Sequence, residues 1–195
     1  MSKPKFSGKD LISQLKTCPE LAYDFTPEQV LEEINRFLPF IGYELNDLTG
    51  LDEKERPDFW GKREDSGKTF EIAGVVRQDM SKAGDGVIKL DSIKKRLGDS
   101  LEYVIVVPPV NEFHLIEFLC RDDNKWYKKV QEGGYMIWLC NPSEKGIWCP
   151  FGAPKDKKIF EFLKFKEMTN AYFNLPKRNE DIQSRHGTWK GEIDL

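Results

Sequence analysis

The sequence predicts a mixed α/β domain, and three stretches carry that prediction. Thr26-Pro27-Glu28-Gln29 opens a helix, with a hydroxyl N-cap, Pro at the first helical position and an acid in the first turn. Phe59-Trp60 and Thr69 to Val76 read as two strands around the turn Asp65-Ser66-Gly67-Lys68. Leu101 to Val107, Leu-Glu-Tyr-Val-Ile-Val-Val, is a β-branched run stopped by Pro108-Pro109, the pattern of a buried strand.

Taken in order, residues 1–25 form an N-terminal extension with a short amphipathic stretch at Leu11 to Leu15, then Cys18-Pro19. Val30, Leu31, Ile34, Phe37 and Leu38 keep helical spacing up to Pro39. Residues 40–48 suit a short strand, and Asp52 to Arg56 a charged loop. In the hairpin, Gly67 supplies the positive φ that a short loop with a bulge requires. Lys82-Ala83-Gly84-Asp85-Gly86 reads as a turn before a helix whose apolar stripe is Leu90, Ile93 and Leu97, closed by Gly98. Beyond the buried strand come a helix, a Tyr135 to Cys140 strand, a turn at Asn141-Pro142-Ser143, and a strand near Ile147-Trp148-Cys149. A C-terminal helix from about Asp156 to Phe173 and a polar tail over 176–195 complete the map. The domain proper is 26–175.

Composition narrows the function classes. The chain has 195 residues, 30 Lys+Arg against 33 Asp+Glu, a net charge of -3 and 39% hydrophobic residues. That suits one packed domain and offers no run of about 20 apolar residues for a membrane span. The opening Met1-Ser-Lys-Pro-Lys-Phe has no apolar core of a secretory signal. A chain this close to neutral does not coat nucleic acid by charge alone, so any polyanion needs a local site. The four cysteines, Cys18, Cys120, Cys140 and Cys149, form no C-x-x-C pair, and there are only two histidines, His114 and His186. A structural zinc site is not expected, and reduced thiols in a cytoplasmic protein are. No phosphate-binding P-loop or dinucleotide fingerprint is present.

Two acids stand out for chemistry. Asp58 follows Pro57 at the opening of one hairpin strand, and Glu71 lies in the next. Strand alternation puts Glu71, Ala73, Val75 and Arg77 on one face of that strand. A hairpin that brought both carboxylates to one side would make a hard oxygen site for Mg²⁺ or Mn²⁺, suited to orienting phosphate oxygens.

Pro57-Asp58, twelve residues, then Glu71, a helix and the Tyr103 to Val107 strand resemble the core of the PD-(D/E)XK (restriction-endonuclease-like) nuclease superfamily. The resemblance covers 26–108 and implies a core of helix, three strands, helix and strand, with the rest as additions. It implies metal-dependent hydrolysis of phosphodiester bonds in DNA or RNA, with Asp58 and Glu71 as metal ligands and the carbonyl of Ile72 as a third. It also implies a first-helix acid, for which Glu33 at the flank of the apolar stripe is favoured over Glu32. The sequence departs from the family where the motif lysine is expected, because that position is Ala73. Some members supply the lysine from the helix after the third strand, which points to Lys82 and Lys89, with Lys62 as a weaker substitute. Arg77 is set aside, lying about 20 Å along the strand from Glu71. The alanine also motivates an alternative: a nuclease-like fold without catalysis that binds nucleic acid or protein, as a homodimer or with a partner subunit. Lys94, Lys95 and Arg96 are candidate phosphate contacts, as are the basic and aromatic stretches Lys125 to Lys129 and Lys155 to Lys166.

Overall fold

The computed structural model describes residues 25–108, 112–143 and 145–162. The expected N-terminal extension, the tail and most of the C-terminal helix lie outside them, as do Cys18 and His186. The elements are α1 (Pro27–Phe40), β1 (Glu44–Leu45), β2 (Phe59–Asp65), β3 (Lys68–Val76), α2 (Ala83–Leu97), β4 (Glu102–Val107), α3 (Glu112–Gly133), β5 (Tyr135–Asn141), β6 (Gly146–Phe151) and α4 (Lys157–Phe162). A single 3-10 turn, Met80–Lys82, leads into α2. The α/β class read from the sequence is the one observed.

The described strands form one mixed sheet in the order β1-β2-β3-β4-β5-β6. β3, β4 and β5 run parallel, and the outer pairings are antiparallel. Parallel neighbours need crossover connections, and α2 and α3 supply them. Both helices cover one face, where Ala73, Val75, Tyr103, Ile105, Tyr135 and Ile137 meet Val87, Leu90, Ile93 and Leu119. Ile72, Val76, Val104, Val106 and Trp138 line the opposite face against Val30, Ile34 and Leu38 of α1 and Ile159 of α4. A sheet covered on both faces explains why β4 is buried at every position.

Local chemistry sets the boundaries. Thr26 caps α1 through a reciprocal pair: its Oγ1 accepts from Gln29 N, and Gln29 Oε1 accepts from Thr26 N. The helix runs through Pro39 to Phe40, one residue past the expected stop. The strand expected in 40–48 is reduced to Glu44–Leu45.

Two readings are corrected. The hairpin turn has two residues and no bulge: Ser66 and Gly67 both take positive φ (51° and 78°), and pairing is continuous down to Asp65 opposite Lys68. That is the mirror-image turn whose twist matches the strands. Gly84 and Gly86 do not form a turn but sit inside the first turn of α2. Their role is close approach. A Cβ on Gly84 would lie 2.8 Å from the Trp126 ring, and one on Gly86 would lie 3.3 Å from Ile105.

Candidate functional site

Counting outward from the turn, Glu71 falls opposite Lys62 and Gly74 opposite Phe59, so Asp58 stands one residue beyond that last pair. The two acids share a face but are displaced by four residues, about 13 Å along the hairpin. Glu71 accepts from Trp60 Nε1 at 3.0 Å instead. Ala73 is fully buried between Trp60, opposite on β2, and Tyr103, beside it on β4. The motif-lysine position therefore lies in the core and not at a solvent-facing centre.

The rest of the expected metal set does not converge either. Ile72 is paired on both sides, with Gly61 and Glu102, and its side chain is fully buried. Glu33 is buried on the α1 face, across the sheet from Glu71, with both carboxylate oxygens taken by the Arg36 guanidinium. Among the described residues, no group of three or more His, Cys, Asp or Glu stands close enough to hold a metal ion. The donor set Asp58, Glu71, Ile72 and Glu33 does not fit one Mg²⁺ or Mn²⁺.

Asp58 is instead the centre of a different cluster. Its Oδ2 accepts from the backbone N of Val76 at 2.7 Å and from an Arg77 guanidinium nitrogen at 3.2 Å. Its Oδ1 accepts from Lys89 Nζ at 3.2 Å. Arg77 is anchored twice more, by its N–H to Val106 O and by the same guanidinium nitrogen to Val76 O, 2.6 Å away. All three side chains are partly exposed, at 26% for Asp58, 18% for Arg77 and 25% for Lys89. Two cations thus share one carboxylate where β2 begins and β3 ends.

Arg77 lies too far along the strand to serve Glu71. The distance stands, but the centre is Asp58. The two-residue turn was the signal that could have found it, because it fixes the register and brings Arg77 next to Asp58. Lys89, one of the lysines implied on the helix after β3, does reach Asp58; the Lys82 side chain is exposed and has no ion-pair partner among the described residues. Lys62 pairs with Glu64 at 3.2 Å.

The other basic stretches are mostly engaged. Lys94 donates to Gly133 O, pairs with Asp99 and lies over the Tyr135 ring. Arg96 pairs with Glu55, and Lys95 is exposed. Trp126 stacks on Phe118 at 5.8 Å and is flanked by Lys125 and Lys129, so its ring packs α3 onto α2. Burial pushes the thiols of Cys140 and Cys149 up to about 12, which makes them poor nucleophiles.

Beside the cluster, a cleft of about 540 Å³ opens between the start of α1, the loop at 47–49 and the entry to β2, with Arg56, Asp58 and Arg77 in its wall. Comparison with protein-family models and with curated proteins finds no match to this chain.

Proposed function

We propose that this chain is a restriction-endonuclease-like domain that binds DNA or RNA through phosphate contacts at Arg77 and Lys89, without a two-carboxylate metal centre. The observation that carries this reading is the pairing of Asp58 with two cations while Glu71 lies four residues away. The order helix, three strands, helix, strand, with sheet order β1 to β4, supports the restriction-endonuclease-like assignment. Arg77 presents a planar fork suited to phosphate, and Lys89 a point charge beside it. Asp58 pairs with both side chains and offsets one of their two charges until a ligand takes its place.

A second reading, metal-dependent phosphodiester hydrolysis, draws on one observation. Lys89 stands against Asp58, as the family resemblance implies for a lysine supplied by the helix after the third strand.

Fluorescence anisotropy with labelled DNA and RNA tests the first reading. Arg77→Ala or Lys89→Ala weakens binding about tenfold at low salt and lowers the slope of log affinity against log salt by about 1. Binding that ignores both substitutions sinks it. Incubation with Mg²⁺ or Mn²⁺ separates the two: cleavage that Asp58→Ala abolishes establishes the second reading, and intact nucleic acid favours the first.

A further inference from the structure

The cleft beside Asp58 has a composition that a simple backbone-binding groove does not need. Its wall carries two arginines, Arg56 and Arg77, but also the carboxylates of Glu28, Asp47 and Asp58. Apolar surface comes from Leu31, Leu48 and Pro57. Only one nitrogen of the Arg77 guanidinium is engaged by the protein, and Arg56 has no protein partner among the described residues. Asp47 is fixed toward the loop by Thr49, whose N and Oγ1 both donate to it, yet each carboxylate oxygen keeps a second lone pair.

A ligand that satisfies this wall needs an anion for the arginines, a flat apolar body for the leucines, and N–H donors for the carboxylates. One nucleotide has all three. The volume, about 540 Å³, lies within the range of small-molecule sites, about 300–1,000 Å³, and does not admit a double helix. In a duplex the bases are stacked and paired inward, whereas a single strand can offer an unstacked base.

We infer that the cleft receives one unpaired nucleotide, its phosphate on Arg77 and Arg56 and its base against Leu31 and Leu48, so that the domain prefers single-stranded nucleic acid. This rests on the proposed phosphate role of Arg77 and adds to it the form of nucleic acid recognised. Asp47 faces the edge of the base, where exocyclic amino groups of adenine, cytosine or guanine donate.

The test compares a labelled single strand with the same sequence as a duplex, in the full-length protein. The wild type is expected to favour the single strand about tenfold, and adenosine monophosphate in excess displaces that strand. Leu48→Trp fills the cleft and erases the preference. Thr49→Trp, at the exposed rim, does the same and guards against a folding defect in the first variant. Equal affinity for both forms, still lost in Arg77→Ala, overturns the cleft inference and leaves the phosphate site standing. A single-strand preference that persists in a folded Thr49→Trp protein, checked by its thermal unfolding, likewise overturns it. Absence of binding to either form overturns the phosphate site and the cleft together.

Discussion

Asp58 accepts from three donors, Val76 N and Arg77 at the end of β3 and Lys89 of α2, and so ties β2 to both elements. In a metal site this residue is indispensable; in a cation-paired site it competes with the ligand for the same cations. The two roles predict opposite results for one substitution. Asp58→Asn keeps an acceptor for Val76 N but removes the negative charge, so binding to DNA or RNA is expected to tighten about threefold at low salt. Anisotropy titration checks this, and weaker binding in a correctly folded variant counts against the cation-paired site. Glu102 offers a second residue-scale case. Its Oε1 accepts from Lys155 N, whereas its Oε2 is buried with no hydrogen-bond partner within 3.5 Å among the described residues. Burial raises its pKa, so the folded state holds the proton more tightly than the unfolded chain. That linkage favours the fold at low pH and is lost as pH rises through the folded-state value. Glu102→Gln is therefore expected to raise Tm near neutral pH and to leave it nearly unchanged at about pH 4, as thermal melts at the two pH values will show.

At the scale of elements, contact between α2 and α3 depends on a missing side chain. Gly84 costs α2 some intrinsic helix stability, about 1 kcal/mol relative to Ala. The gap left by its absent Cβ lets Trp126 of α3 come down onto the helix backbone, stacked on Phe118. A larger side chain forces the indole away and overpacks the site. Gly84→Val is expected to destabilise the domain by about 1–3 kcal/mol, measured by urea denaturation. An unchanged midpoint would show that the indole moves freely. The same helix carries Lys89, so a tilt of α2 in this variant is also expected to weaken nucleic-acid binding. Such glycines read as a turn in sequence because Gly is the commonest turn residue; their use in a helix, close approach, depends on distant neighbours, Trp126 at Gly84 and Ile105 at Gly86.

At the scale of the whole molecule, a buried polar knot joins the first half of the chain to the segment before α4. Arg63 of β2 donates two nitrogens to Asp156, just before α4, and the Tyr43 hydroxyl donates to the same carboxylate at 2.6 Å. Arg63 and Asp156 are 8% and 1% exposed; Arg63 also pairs with the exposed Asp65, so it is Asp156 that would be left as an uncompensated buried charge without its partner. Burial works against the charged Asp156, but the hydrogen bonds from Arg63 and Tyr43 outweigh it and hold the carboxyl below its usual range. A depressed folded-state pKa contributes stability above the unfolded value that is lost as pH falls through the folded one. Stability is therefore expected to drop in acid, below about pH 4. Arg63→Ala costs about 3–5 kcal/mol at neutral pH by denaturant unfolding. Asp156→Asn lowers neutral-pH stability and flattens the acid limb; an unaltered acid limb would place the loss elsewhere.

The sequence by itself determined the α/β class, the order of elements and most of their boundaries, because those follow from local patterns. The Thr26 cap, the alternation in 69–76 and the apolar run of β4 each act over a few residues. The sequence also singled out Asp58 and Lys89, which the structure brings into contact. Only the tertiary structure decided the partners of Asp58. A shared face is a local property of strand period two, but a shared position depends on register, and register depends on a turn two residues long and free of a bulge. One fewer residue of slack than expected leaves Glu71 opposite Lys62, sends Ala73 into the core, and turns the discarded Arg77 into the neighbour of Asp58. The fold class rests on pattern and the candidate chemistry on register, which is why the sequence read the first correctly and the second only in part.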